Sequence, residues 1–217
     1  MTAEGGGPGR RGILLVVAGP TAVGKGTVIG GLLERHPDIE LSVSCTTRKP
    51  RAGEVDGREY QFISEAEFER MRRDGGLLET AVVHGTDHYG TPRQPVEEAL
   101  AAGRDIVLEI DCQGARSIRT AVPEAVMVFI APQSIADLKQ RSGGRDTEPP
   151  AELARRLRTA RTEIANIGLF QYVIVNDRLD EAIDELEAIY RAECVRLRAV
   201  PWRSLQTKLL EELEPEL

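Results

Sequence analysis

One run near the amino end restricts the fold more than any other: Gly19-Pro20-Thr21-Ala22-Val23-Gly24-Lys25-Gly26-Thr27. It follows an apolar run at 13–18, which reads as a buried strand, and leads into residues 28–35, which read as a helix. Strand, glycine-rich loop and helix in that order form the setting a phosphate-binding loop requires. Backbone N–H groups of such a loop converge on phosphate oxygens, and the helix start adds the positive end of its dipole. Lys25 then bridges the β- and γ-phosphates of a nucleotide as a mobile cation. Gly26 stands where Ser or Thr usually follows the lysine, so a protein hydroxyl near a metal would have to come from Thr27.

The remaining chain bounds the context of this loop. At 217 residues it can bury a full core as one domain. Its net charge of −7 gives no general basic surface for nucleic acid. No apolar stretch approaches membrane-spanning length, and the start lacks a hydrophobic signal region. Residues 1–11 read as a disordered tail. Cys45, Cys112 and Cys194 lack metal-ligand spacing and read as free thiols of a reducing compartment. Together these features predict a cytoplasmic protein.

Apolar strand candidates at 106–111, 125–130 and 172–176 alternate with helical stretches at 113–121, 134–141 and 179–198. That alternation predicts an α/β fold with a central parallel sheet flanked by helices. Residues 45–90 break the rhythm. They carry short β-like pieces and a helix opened by the capping box Ser64-Glu65-Ala66-Glu67, the pattern of an inserted lobe. Residues 142–150 are polar and rich in Gly and Pro, and read as a mobile loop before an Arg-rich helix. His84 and His88 are four apart, but Gly85 between them argues against a helical metal pair. Cys112 reads as core packing on a buried strand. Residues 201–217 form an acidic extension.

A second basic constellation lies in the lobe: Ser44-Cys45-Thr46-Thr47-Arg48-Lys49-Pro50-Arg51, then Gly53-Glu54 and Asp56-Gly57-Arg58-Glu59-Tyr60. Two arginines around a proline turn, with a tyrosine beyond, can clamp a dianionic phosphate. With Tyr89-Gly90-Thr91-Pro92, the block from Glu109 through Ala115, and Val173-Ile174-Val175-Asn176-Asp177, these blocks make the chain resemble the guanylate kinases over roughly residues 12–198.

The resemblance implies a P-loop NTPase core, an inserted mixed α/β NMP-binding lobe at about 45–90 and a short lid at about 142–155, within a domain spanning 12–200. It implies phosphoryl transfer from ATP to GMP, and to dGMP, with Mg2+. Gly19, Pro20, Thr21, Ala22, Val23, Gly24, Lys25, Gly26 and Thr27 would hold ATP, with Asn176 on the adenine side. The acceptor phosphate falls to Arg48, Arg51, Tyr60 and Tyr89, and guanine to Ser44, Glu79, Thr91 and Asp111. A carboxylate suits guanine, whose N1–H and 2-amino groups are adjacent donors; adenine lacks that pair. On its residue pattern alone, Glu79 reads as a surface charge near a strand.

Lid residues Arg141, Arg145 and Arg156 would join Lys25 and Arg48 in neutralising the transferring group. Arg155, Arg158 and Arg161 read instead as a solvated helix face. Glu109 and Asp111, two apart at the carboxyl end of a strand, share one face and could orient Mg2+ through water, with Thr27 as a further contact. The chain departs from the family's pattern at Ala22, where glycine usually allows an unusual backbone angle. Two other readings stay open: an inactive guanylate-kinase-like protein-binding module, and a P-loop kinase for another phosphorylated small molecule.

Overall fold

Strand β1 (Leu14–Ala18) is buried along its whole length and sits at the centre of a five-stranded sheet. The computed structural model describes residues 11–83, 87–142, 150–196 and 202–214. The strands β2 (Glu40–Leu41), β7 (Ile106–Glu109), β8 (Val126–Pro132) and β9 (Tyr172–Asn176) complete that sheet in the order β2-β7-β1-β8-β9, all parallel. A parallel strand covered on both faces needs a continuous apolar run, which is why residues 13–18 show no polar alternation.

The two faces of the sheet carry separate cores. Leu15 and Val17 pack with Val28, Ile29 and Leu32 of α1 (Lys25–Arg35) and Leu186 of α7 (Leu179–Cys194). Leu14, Val16 and Ala18 pack on the other side with Ala99 and Leu100 of α3 (Arg93–Ala101) and Ile118 of α4 (Cys112–Ala121). The strand order places β1 between β7 and β8, so the chain leaves β1 at a switch point, where open α/β sheets bind ligands.

Residues between 45 and 92 form a second sheet from β3 (Cys45–Thr46), β4 (Gln61–Phe62), β5 (Leu77–Val83) and β6 (Asp87–Pro92), in the order β4-β3-β6-β5. Helix α2 (Glu65–Arg73) starts at the predicted cap: Ser64 Oγ accepts the Glu67 N–H at 3.2 Å. Phe68 on α2 is buried with Cys45 and Leu77 in a small core of its own.

Three sequence expectations need correction. The strand expected at 106–111 stops at Glu109, because Asp111 turns its side chain onto the Gly114 N–H at 2.8 Å and caps α4. Cys112 is therefore the first residue of a helix rather than a strand residue, although it is buried as expected. The helix expected to reach residue 198 ends at Cys194. In the C-terminal extension, α8 (Trp202–Leu213) buries none of its residues.

Candidate active site

The loop after β1 has the backbone that its glycines predict. Gly19 has φ +151°, Gly24 +96°, and Ala22 +66°, the only positive-φ non-glycine residue among those described. At position 24 a Cβ would lie 2.6 Å from Asn176 Nδ2. That amide donates to Val23 O at 2.7 Å, and Arg141 of α5 (Ile135–Ser142) donates to Val23 O at 3.2 Å and to Asn176 O at 2.9 Å. Asn176 and Arg141 thus hold one loop carbonyl aside. Lys25, at the start of α1, donates from Nζ to Gly19 O at 2.8 Å and Pro20 O at 3.2 Å. With its ammonium on loop carbonyls, the lysine is stored beside the phosphate site.

An alanine in the left-handed region costs about 1–2 kcal/mol, and a glycine costs about 0.4–1 kcal/mol more chain entropy on folding. Ala22→Gly should therefore raise stability by about 0.5–1 kcal/mol, read as a higher midpoint in urea with an unchanged slope.

A cavity of about 270 Å³ joins this loop to the second sheet. Thr21 and Lys25 of the loop line it, as do the cationic and phenolic side chains Arg51, Arg58, Tyr60 and Tyr89. Burial raises the Tyr60 phenol, so its hydroxyl stays a donor. Ser44, Glu79 and Asp111 also line the cavity, and Glu79 and Asp111 bring acidic groups to it.

Glu79 is buried on β5. Thr91 Oγ1 donates to its Oε1 at 2.8 Å, so the predicted Thr91 acts from behind the cavity wall by holding the carboxylate. Glu79 Oε2 has no hydrogen-bond partner among the described residues. It points at Gly114, where a Cβ would lie 2.5 Å away. Desolvation, opposed by the Thr91 bond and reinforced by Asp111, pushes the Glu79 carboxyl up to about 7. A buried carboxylate with one open oxygen is a receptor for paired N–H donors.

Arg48 is not brought to this cavity wall. Its guanidinium makes a bidentate pair with Glu54, both N–O distances 2.7 Å, and Nε donates to Tyr89 Oη at 2.9 Å. It also lies over the Tyr60 ring, 5.1 Å from the centroid. Arg48 therefore braces the two tyrosines, and the pair holds the Glu54 carboxyl down at about 2. Arg58, to which the sequence pattern assigns no role, lines the cavity instead.

Glu109 also lines the cavity and is exposed beside the loop; a Cβ on Gly26 would lie 3.4 Å from its Oε2. Thr27, on the first turn of α1, is exposed as well. Open carboxylate and hydroxyl oxygens next to a phosphate loop fit a hard cation that keeps its water.

A second cavity of about 710 Å³ shares Thr21, Asp111 and Glu163 with the first and opens toward α6 (Pro150–Ala165). Arg155 and Arg116 line it, so Arg155 belongs to the cleft rather than to the solvated face expected for it; Arg158 and Arg161 are exposed as expected. Arg156 is half-buried on α6 and lines neither cavity. Arg145, most of the lid and His84 lie outside the described residues. His88 faces acids, with Nδ1 3.3 Å from Glu65 Oε1. The sequence reading missed Glu163, whose signal was its spacing: it lies three residues beyond Ala160 on the buried stripe of α6.

The guanylate kinase family model matches residues 11–193. The guanylate kinase of Nocardia farcinica is 50% identical over 182 residues, covering 83% of this chain and 94% of that protein. That of Cutibacterium acnes is 52% identical over 171 residues, covering 79% and 86%. The crystal structure of guanylate kinase from Anaplasma phagocytophilum superposes with a TM-score of 0.75 at 34% identity, covering 90% of this chain and 94% of that one. A glycine-rich loop at the switch point, an adjoining cavity lined by both cationic and acidic groups, and relatives matched over nearly their whole length agree: the chain belongs to the guanylate kinase family.

Proposed function

We propose that this protein transfers the γ-phosphoryl group of ATP to GMP, and to dGMP, giving ADP and GDP or dGDP. One observation carries the reading. The cavity that begins at Lys25 and Thr21 holds the base-selective Glu79 and the phosphate-selective Arg51, Arg58, Tyr60 and Tyr89 together. An acceptor with guanine on Glu79 and its phosphate on the arginines and tyrosines has a phosphate oxygen directed at the loop. That oxygen attacks the γ-phosphorus, and the bond to the β–γ bridging oxygen breaks, leaving ADP.

The protein supplies position and charge. Loop amides and Lys25 take the donor phosphates, while Arg141, Arg145 and Arg156 close from the lid side over the transferring group. Mg2+ would neutralise the β- and γ-oxygens, with Glu109, Asp111 and Thr27 as the residues that hold it through water. In this reading residues 12–200 form the kinase domain, and the lobe at 45–90 and the lid at 142–155 close to exclude water. A cytoplasmic setting suits the free cysteines, and no described helix is long and apolar enough to cross a membrane.

The test is ADP release across GMP, dGMP, AMP, CMP and UMP. GMP should be the fastest acceptor by at least about two orders of magnitude over AMP, because AMP leaves the Glu79 carboxylate unpaired. Equal or faster turnover of AMP or UMP would refute the assignment.

A further inference from the structure

Gly114 lies in the first turn of α4, and nothing in its backbone calls for glycine. It is not among the positive-φ residues, and its N–H donates to Asp111 Oδ1 at 2.8 Å, a bond that any residue but proline can make. Within a helix, glycine is a poorer choice than alanine. The chain therefore carries a cost at this position, and the surroundings give the reason. A Cβ at 114 would lie 2.5 Å from Glu79 Oε2 and 2.9 Å from Glu79 Cδ. The next atom, Ile110 Cδ1 at 3.4 Å, is an ordinary contact. The missing side chain thus makes room for one group, the carboxylate of the cavity-lining Glu79.

That carboxylate is placed by two neighbours. Thr91 Oγ1 donates to Oε1 at 2.8 Å, and Oε2, with no hydrogen-bond partner among the described residues, occupies the space at Gly114. A methyl group there cannot overlap it, so something must move. Helix α4 is capped by Asp111 and packs on β1 and β5, whereas the end of the Glu79 side chain can turn about its own bonds. The carboxylate is the group that yields. Receiving two adjacent N–H donors requires it in one orientation, and turning it spoils both bonds.

We infer that Gly114 is a positioning residue for base selection: by lacking a side chain it sets the orientation of the Glu79 carboxylate, and a larger residue at 114 turns that carboxylate away from the guanine edge. The inference rests on the assignment of guanine to Glu79 in the proposed function. It gives the start of α4 a share in a selectivity otherwise carried by Glu79 alone.

The experiment measures kcat/KM for GMP and AMP, and Tm without nucleotide, in the full-length wild type, Gly114→Ala, Glu79→Asp and the double variant. Loss of one hydrogen bond to a charged acceptor corresponds to about tenfold or more, so Gly114→Ala should lower the GMP-to-AMP ratio by at least about tenfold. The loss should fall on KM for GMP, with kcat and the turnover of AMP within about threefold of wild type, because the phosphate-directed groups keep their places. Its Tm should stay within about 5 °C of wild type, since alanine is the better helix former. Aspartate at 79 is one methylene shorter and withdraws from the space at 114. In that background Gly114→Ala should change the GMP-to-AMP ratio by less than about threefold, the mark of two residues acting through one contact.

An equal loss on GMP and AMP overturns the proposal. So does the same loss of ratio in both backgrounds, or a Tm lowered by more than about 10 °C in both; each would make Gly114 a packing contact of α4. The guanine assignment is judged separately in the wild type. Should AMP outrun GMP there, that assignment falls and this role with it. Should GMP lead while Gly114→Ala leaves the ratio unchanged, only the role of Gly114 falls.

Discussion

Glutamine in place of Glu79 is expected to lower kcat/KM for GMP by about two to three orders of magnitude and leave the small turnover of AMP nearly unchanged. The geometry gives the reason. Thr91 fixes Oε1, which leaves Oε2 as a single buried acceptor with no partner among the described residues. Guanine presents two adjacent N–H groups to a carboxylate. Glutamine presents an N–H of its own to one of them, so a favourable contact becomes a repulsive one. AMP has no such pair and gains little or loses little from the change.

The same substitution should stabilise the empty protein at alkaline pH. Burial raises the folded-state carboxyl of Glu79 to about 7, above the ordinary value of 4.5. Between those values the folded state holds a proton that the unfolded state has released, so stability falls as pH rises. The contribution is fully present below pH 4.5 and is lost as pH passes 7. Its size is about 3 kcal/mol at most. The difference in Tm between Glu79→Gln and wild type should therefore grow by several degrees from pH 5 to pH 8, measured without nucleotide. A flat difference would mean that Glu79 is already ionised and solvated, and its role as a desolvated receptor would fall with it.

The fold was legible because its signals are local and backbone-based. The P-loop works through amides, so a nine-residue run carries its function, and the positive φ at Ala22 was readable as a departure from glycine. Asp111 shows where reading stops. As an alternating strand residue it belonged beside Glu109; its hydrogen bond to the Gly114 N–H won, because a helix start with open N–H groups is a stronger local demand than two more residues of strand. Arg48 shows another limit. Arginine beside a proline turn reads as a phosphate ligand, yet Glu54, six residues on, returns to take both ends of its guanidinium. Glu163 was hidden by composition. In a helix with four arginines an acid reads as a surface partner, and only the packing of α6 over α4 reveals that it is buried. Side chains whose roles depend on closing one element over another leave little trace in a linear pattern.

Alanine in place of Lys25 should reduce kcat by about 10³-fold while KM for GMP stays within about threefold. In the free protein Nζ rests on Gly19 O and Pro20 O, two carbonyls that cannot accompany it onto phosphate. The lysine must therefore exchange neutral acceptors for charged ones when ATP arrives. That exchange is most favourable when negative charge spreads over the transferring group, so the loss should fall on kcat. The acceptor site keeps Glu79, Arg51, Tyr60 and Tyr89, none of which hydrogen-bonds to Lys25, and its affinity should persist. Arginine should rescue poorly, because a planar fork cannot pack against two loop carbonyls and then turn as a point charge. Two further readouts separate chemistry from scaffolding. The loop carbonyl of Val23 is held by Asn176 and Arg141, not by Lys25, so Tm should change by no more than a few degrees. Lys25 also offsets the desolvation of Glu163, so its removal should raise that carboxyl further above about 7 and deepen the loss of stability with rising pH. An alanine variant that kept a tenth of wild-type kcat would assign the transferring charge to the loop amides and the lid arginines, and would leave Lys25 only the binding of ATP.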